Sequence, residues 1–244
     1  VPIATKRRAA RERFAALLAR PDSQLDVAET ALWIEAEGDP SCDVAAALGR
    51  LAALAERAAP HLDPMDDAGT RAAHLVRFLY DDAGLRGNDA DYYDPRNSYL
   101  SAVLARGLGI PITLSIVYVD VARRLGLDAA GVGFPGHFLA RVAGPHEVAI
   151  VDAFHGRLLE RPDLRALLAR AAGPAAALHP ALLAPTPPRE ILARVLRNLK
   201  HAHTQRGEIE SALACSERLL LIAPDDADER RDVGALRELL RRLN

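Results

Sequence analysis

Cysteine is nearly absent from this 244-residue chain, with only Cys42 and Cys215, far apart. That excludes a disulfide scaffold and fits a reducing compartment, so the expected location is the cytoplasm. Neither sign of charge prevails: 31 basic residues meet 33 acidic ones, for a net charge of −2. Electrostatics therefore give no case for a nucleic-acid or acidic-membrane partner. No apolar run approaches the roughly 20 residues of a membrane span, and no signal-peptide hydrophobic segment follows the initial valine. What is present is ample core-forming material. Half the residues are apolar and 26% are charged, as in a globular protein with a sizeable core. The length exceeds one average domain and is short for two.

The informative stretch runs from Asn97 to Asp152. NSYLSAVLARGL reads as a helix, Gly109 and Pro111 as a break, and Ile112 to Leu125 as a second helix with Leu114, Val117, Val121 and Leu125 on one face. Residues 139–142 and 148–151 are apolar or β-branched and flank AGPHE, the pattern of a β-hairpin. A loop symmetric about Gly144 and Pro145 pairs residues whose numbers sum to 289, placing His137 opposite Asp152. Opposed residues have Cβ atoms roughly 4.5–5.5 Å apart. A carboxylate so placed fixes the imidazole tautomer and leaves the other ring nitrogen for chemistry. The same spacing also suits a purely structural hydrogen bond at a strand end.

GIPITLS at 109–115, FPGHF at 134–138 and VDAF at 151–154 resemble the SirB-type transglutaminase-like proteins, over roughly residues 25–228. The resemblance implies a transglutaminase/papain-like core followed by tetratricopeptide-like helices. It also implies catalytic residues in the order Cys, His, Asp, with His137 as base and Asp152 as its orienter. The nucleophile does not carry over. Where the resemblance places the thiol, at the start of the second helix, this chain offers Thr113 and Ser115. A helix N-terminus activates a thiol far more readily than a hydroxyl, and both residues also suit helix capping.

Elsewhere the patterns are mostly structural. Residues 3–19, 25–38, 44–59 and 70–80 read as helices, and Trp33 is expected in the core. The acids of HLDPMDDAG lack the alternation of a calcium loop and suit helix capping. The polar loop 84–97 nominates Tyr92, Tyr93, Arg96 and Asn97 as cleft-rim candidates, with loop anchoring or capping by Asn97 or Ser98 as the alternative. His137, His146, His155 and Asp152 lack the tight ligand pairs of a structural zinc site, so no metal and no cofactor is expected. His201 and His203, two apart on a helix, face different ways.

The expected fold is α+β: a helix-rich transglutaminase-like core over residues 1–170 with a small antiparallel sheet, an Ala/Pro-rich linker at 171–188, and a tetratricopeptide-like helical region at 189–244. Two function classes follow. The first is a non-catalytic module binding a protein or peptide partner through the retained cleft. The second is an amide or acyl hydrolase or transferase in which His137–Asp152 activates a hydroxyl or water.

Overall fold

The computed structural model describes residues 2–243. In chain order its main helices are α1 (Ile3–Leu18), α2 (Val27–Gly38), α3 (Val44–Ala58), α4 (Ala68–Arg77), α5 (Leu100–Arg106), α6 (Pro111–Arg124), α7 (Arg161–Ala172), α8 (Pro188–Gln205), α9 (Ile209–Ile222) and α10 (Ala227–Leu243). The strands are β1 (Arg86–Gly87), β2 (Leu108–Gly109), β3 (Asp128–Val132), β4 (Leu139–Ala143), β5 (Val148–Asp152) and β6 (Arg157–Leu159). The α+β class and its helix-rich character agree with the sequence. No helix among the described residues is long and apolar enough to cross a membrane.

The chain divides into two compact units, each built from separate segments. The first contains the chain up to Val44, the segment Asp91–Ser101, and the chain from Pro187 onward. Asp26 caps α2 by accepting the Glu29 N–H at 2.9 Å, the role its short carboxylate suits at a helix start. Ile191, Leu192, Val195, Leu196, Leu199 and Ala202 recur at helical spacing and form the buried face of α8, which packs on α9. Gly207 takes φ of +71° in the turn between these helices, a conformation that favours glycine. The fully buried Arg218 of α9 donates to the Ile34 carbonyl at 2.6 Å and so ties α9 to α2. Trp33 is half-buried rather than a core residue.

At the start of α5, Glu35 of α2 accepts the backbone N–H of Ser101 at 2.7 Å and also the Ser101 hydroxyl. A full carboxylate meets the orphan amides at this helix start more strongly than a neutral amide side chain does.

The second unit spans Ala45–Ala90 and Ala102–Thr186. Its sheet is an antiparallel meander in the order β3-β4-β5-β6, beside a short parallel pair β1–β2. Val132, Phe134, Leu139, Ile150 and Leu159 form one apolar cluster with Leu164 and Leu168 of α7. Alternate residues Ala140, Val142 and Val151, also buried, belong to the opposite face, on the side where α4 and α6 pack. The Ala/Pro-rich stretch lies on this unit up to its end. Leu178, Leu182 and Leu183 cover the apolar cluster, and the Thr186 N–H bonds the Gly131 carbonyl at 2.8 Å.

The hairpin register differs from the sequence expectation. Ala140 pairs with Val151 and Ala143 with Val148, so partner numbers sum to 291 rather than 289. The loop therefore holds four residues, Gly144–Glu147, closed by the Gly144 N–H on the Glu147 carbonyl at 2.9 Å. Proline explains the difference. The residue before a proline is confined to extended conformations, whereas a two-residue hairpin loop needs a positive φ there. A shift of two residues keeps every side chain on its original face, so the His137–Asp152 juxtaposition survives.

Candidate functional site

His137 lies two residues before β4, delivered by the turn Phe134-Pro135-Gly136-His137. Pro135 presets the first turn position and Gly136 takes φ of +68°, the pattern of a type II turn. Its closing bond runs from the His137 N–H to the Phe134 carbonyl at 3.1 Å. FPGH is thus a turn sequence with a histidine at its exit.

Asp152 is the last residue of β5 and is fully buried. Its Oδ1 accepts the backbone N–H groups of Phe154 at 3.1 Å and His155 at 3.3 Å, which folds the chain back toward β6. Gly156, at φ +67°, completes that turn against the ring of Tyr80. An added Cβ there would stand 2.2 Å from ring carbons, so both conformation and space demand glycine. Tyr80 in turn lies in the π-helical turn Phe78–Asp82 that ends α4, with the Arg86 guanidinium over its ring.

The carboxylate of Asp152 meets two imidazoles. His137 Nε2 lies 3.0 Å from Oδ1, and His155 Nδ1 lies 2.7 Å from Oδ2. Burial pushes the Asp152 carboxyl up, but the hydrogen bonds and charges of His137 and then His155 outweigh it, leaving its pKa below the usual carboxylate range. An ionised carboxylate only accepts, so both facing ring nitrogens donate. Asp152 therefore engages His137 through Nε2 and orients its ring. Phe154 supports it edge-on, with ring centroids 6.2 Å apart. Phe154 is itself seated on Gly87, whose N–H donates to the Phe154 carbonyl at 3.1 Å. Exposure falls from His155, whose side chain is 51% accessible, through His137 at 11%, to Asp152 at 1%. The site thus opens on the His155 side.

The two hydroxyls at the nucleophile position are committed to the fold. Thr113 is buried in the first turn of α6, where its Oγ1 accepts the Ile110 N–H at 3.2 Å and faces the Ile110 carbonyl at 3.1 Å. Ser115 is fully buried and donates to the Phe138 carbonyl at 3.4 Å. The capping role anticipated for these residues is what Thr113 performs. Ser115 instead joins α6 to the backbone beside His137. Both cysteines belong to the first unit. Burial, followed by the charge of Glu35, pushes the half-buried Cys42 thiol up to about 12. Cys215 is fully buried, and burial raises its pKa too. Neither is a ready thiolate.

The cleft-rim candidates also belong to the first unit. Tyr92 and Tyr93 are exposed, and Tyr93 meets His201 edge-on at 5.0 Å. The guanidinium of Arg96 is paired with Asp94 at 2.8 Å. Asn97 is fully buried and donates to the Asp91 carbonyl at 2.7 Å, closing its own loop. Arg96 and Asn97 thus each make a contact within the loop that carries them.

His155, Gly156, Tyr80 and Gly87 complete the site, and the last two carry no motif that announces them. Among the described residues, His137, Asp152 and His155 present ligand atoms all within 4.8 Å of one another. The tight ligand pairs of a structural zinc site are missing from the sequence, and the turn that gathers these three residues is not visible in their separation.

Comparison with known proteins places this site in context. The family model described as Transglutaminase-like superfamily matches residues 45–197, and a tetratricopeptide repeat model matches residues 199–244. A UPF0162 protein of Pseudomonas aeruginosa is 38% identical over 212 residues, covering 86% of this chain and 77% of its own. A UPF0162 protein of Xylella fastidiosa is 35% identical over 217 residues, with 87% and 77% covered. Mouse F-box only protein 21 is 46% identical over 76 residues, 31% of this chain and 12% of its own length. No solved structure matches.

Proposed function

The chain belongs to the transglutaminase-like superfamily, together with the UPF0162 proteins, and on that premise we propose that it is a non-catalytic protein- or peptide-binding module. The observation that carries this reading is the state of the nucleophile position. Thr113 and Ser115 are buried, and their hydroxyls are engaged with backbone groups of Ile110 and Phe138. A hydroxyl already has a proton far harder to remove than a thiol's, and it needs an adjacent base and an oxyanion site. Pro111, at the first position of α6, supplies no N–H to such a site. The dyad beside it remains ordered and polar, suited to recognising an extended chain by hydrogen bonds. Tetratricopeptide repeats present protein-binding surfaces, and the match to that family over the C-terminal helices supports a protein partner. Two unpaired thiols support a cytoplasmic setting.

A second reading is favoured by one observation, the oriented His137–Asp152 pair. In that reading His137 Nδ1 takes a proton from water, whose oxygen attacks an amide or acyl carbon, and returns that proton to the leaving amine, alcohol or thiol as its bond to that carbon breaks. Selecting ligands from a random peptide library on the intact protein separates the two. The module reading expects peptides whose affinity falls at least about tenfold in His137→Ala and which are recovered intact. Peptides recovered cleaved or modified, or no His137-dependent ligand at all, would overturn it.

A further inference from the structure

We infer that His137, Asp152 and His155 form a binding site for a divalent transition-metal ion that favours imidazole, of the class of Zn2+, Ni2+ or Co2+. The inference goes beyond the binding-module reading and does not depend on it. Such ions hold imidazole nitrogen and carboxylate oxygen at about 2.0–2.2 Å, so ligand atoms around one ion lie about 3–3.5 Å apart. The three residues present ligand atoms within 4.8 Å of one another, with one carboxylate oxygen facing each ring, 3.0 Å from His137 Nε2 to Oδ1 and 2.7 Å from His155 Nδ1 to Oδ2. His155 is the half-exposed member, at the open side of the site.

Asp152 is also oriented from behind. Two backbone N–H groups, of Phe154 and His155, hold its Oδ1, as outer hydrogen bonds orient the carboxylates of metal centres. Two nitrogen donors select against Mg2+ and Ca2+, which take oxygen ligands. Three protein ligands leave further positions for water on the His155 side. A ligating ring nitrogen presents its lone pair, so with the ion bound the ring proton resides on Nδ1 of His137 and on Nε2 of His155. With the ion bound, His137 Nδ1 carries a proton and cannot accept one, so metal occupancy and general-base action exclude each other.

The test is isothermal titration of the chelator-stripped, full-length protein with Zn2+, and with Mg2+ in parallel. One Zn2+ per chain is expected, with affinity lowered more than about tenfold in both His155→Ala and Asp152→Asn. His146→Ala, which removes an exposed histidine outside the group, should bind as wild type does. Circular dichroism establishes that each variant is folded, and the half-exposed position of His155 makes His155→Ala the decisive one. Absence of stoichiometric Zn2+ binding by wild type, unchanged affinity in His155→Ala, or Mg2+ bound as tightly as Zn2+ would overturn the inference.

Discussion

Replacing Asp152 by asparagine keeps the shape of a fully buried side chain, removes its charge and turns one acceptor oxygen into a donor. Four N–H groups converge on the carboxylate: His137 Nε2 at 3.0 Å, His155 Nδ1 at 2.7 Å, and the backbone amides of Phe154 at 3.1 Å and His155 at 3.3 Å. The amide oxygen of asparagine can replace Oδ1, but its NH2 then faces His155 and that bond must be remade with the other tautomer. Hydrogen bonds to a charged acceptor contribute about 1.5–3 kcal/mol each, against about 0.5–1.5 for neutral ones. Weakening three bonds and disrupting the fourth predicts a loss of about 2–4 kcal/mol. For a chain of this size that is a fall in Tm of about 5–15 °C.

The effect also has a pH signature. The folded pKa of Asp152 lies below its ordinary value, so its contribution is fully present above the unfolded pKa of about 3.9 and is lost as pH falls through the folded value. The gap between wild type and Asp152→Asn should therefore narrow as pH falls below about 4. Urea denaturation of both proteins across pH 3–7 measures it. Equal stability at pH 7, or a gap that widens on acidification, would refute the reasoning.

Gly156→Ala should cost about 2–4 kcal/mol in urea denaturation, from the left-handed backbone and from overpacking against Tyr80. Gly84→Ala, at φ +72° with open space around it, should cost only about 1–2 kcal/mol, and equal losses at the two sites would count against the packing argument. Iodoacetamide at pH 8 should label Cys42 and Cys215 at least about 100-fold more slowly than free cysteine, since neither thiol is ionised there. Labelling at the free rate would contradict that. Thr113→Cys should lose about 1 kcal/mol through weakened capping and acquire no amide turnover; turnover that disappears in the double variant with His137→Ala would show a complete site lacking only its nucleophile.

Much of the site was legible because its residues are held by local sequence rules. FPGH encodes a turn through Pro135 and Gly136, and DAFHG encodes another through Asp152 and Gly156, so motif and geometry coincide. The juxtaposition of His137 and Asp152 survived an error in register because the strand period is two and the error was also two. Long-range features were not legible. The carboxylate that meets the Ser101 amide at the start of α5 is that of Glu35, 66 positions away. Gly87 accommodates the Phe154 ring, and Tyr80 reaches Gly156 only through a π-helical turn, which no periodicity announces. The division of the chain into discontinuous units is hidden for the same reason, since composition marks a boundary along the chain and cannot mark a segment that returns.

A transglutaminase-like site that keeps its base pair and lacks a working nucleophile leaves amide substrates intact. The most direct test is a mass-spectrometric assay of amide-bearing peptides, with a primary amine as alternative acceptor, incubated with stoichiometric wild-type protein or His137→Ala. No hydrolysed, transamidated or acyl-enzyme species is expected with either protein. Turnover by wild type that disappears in His137→Ala would contradict that.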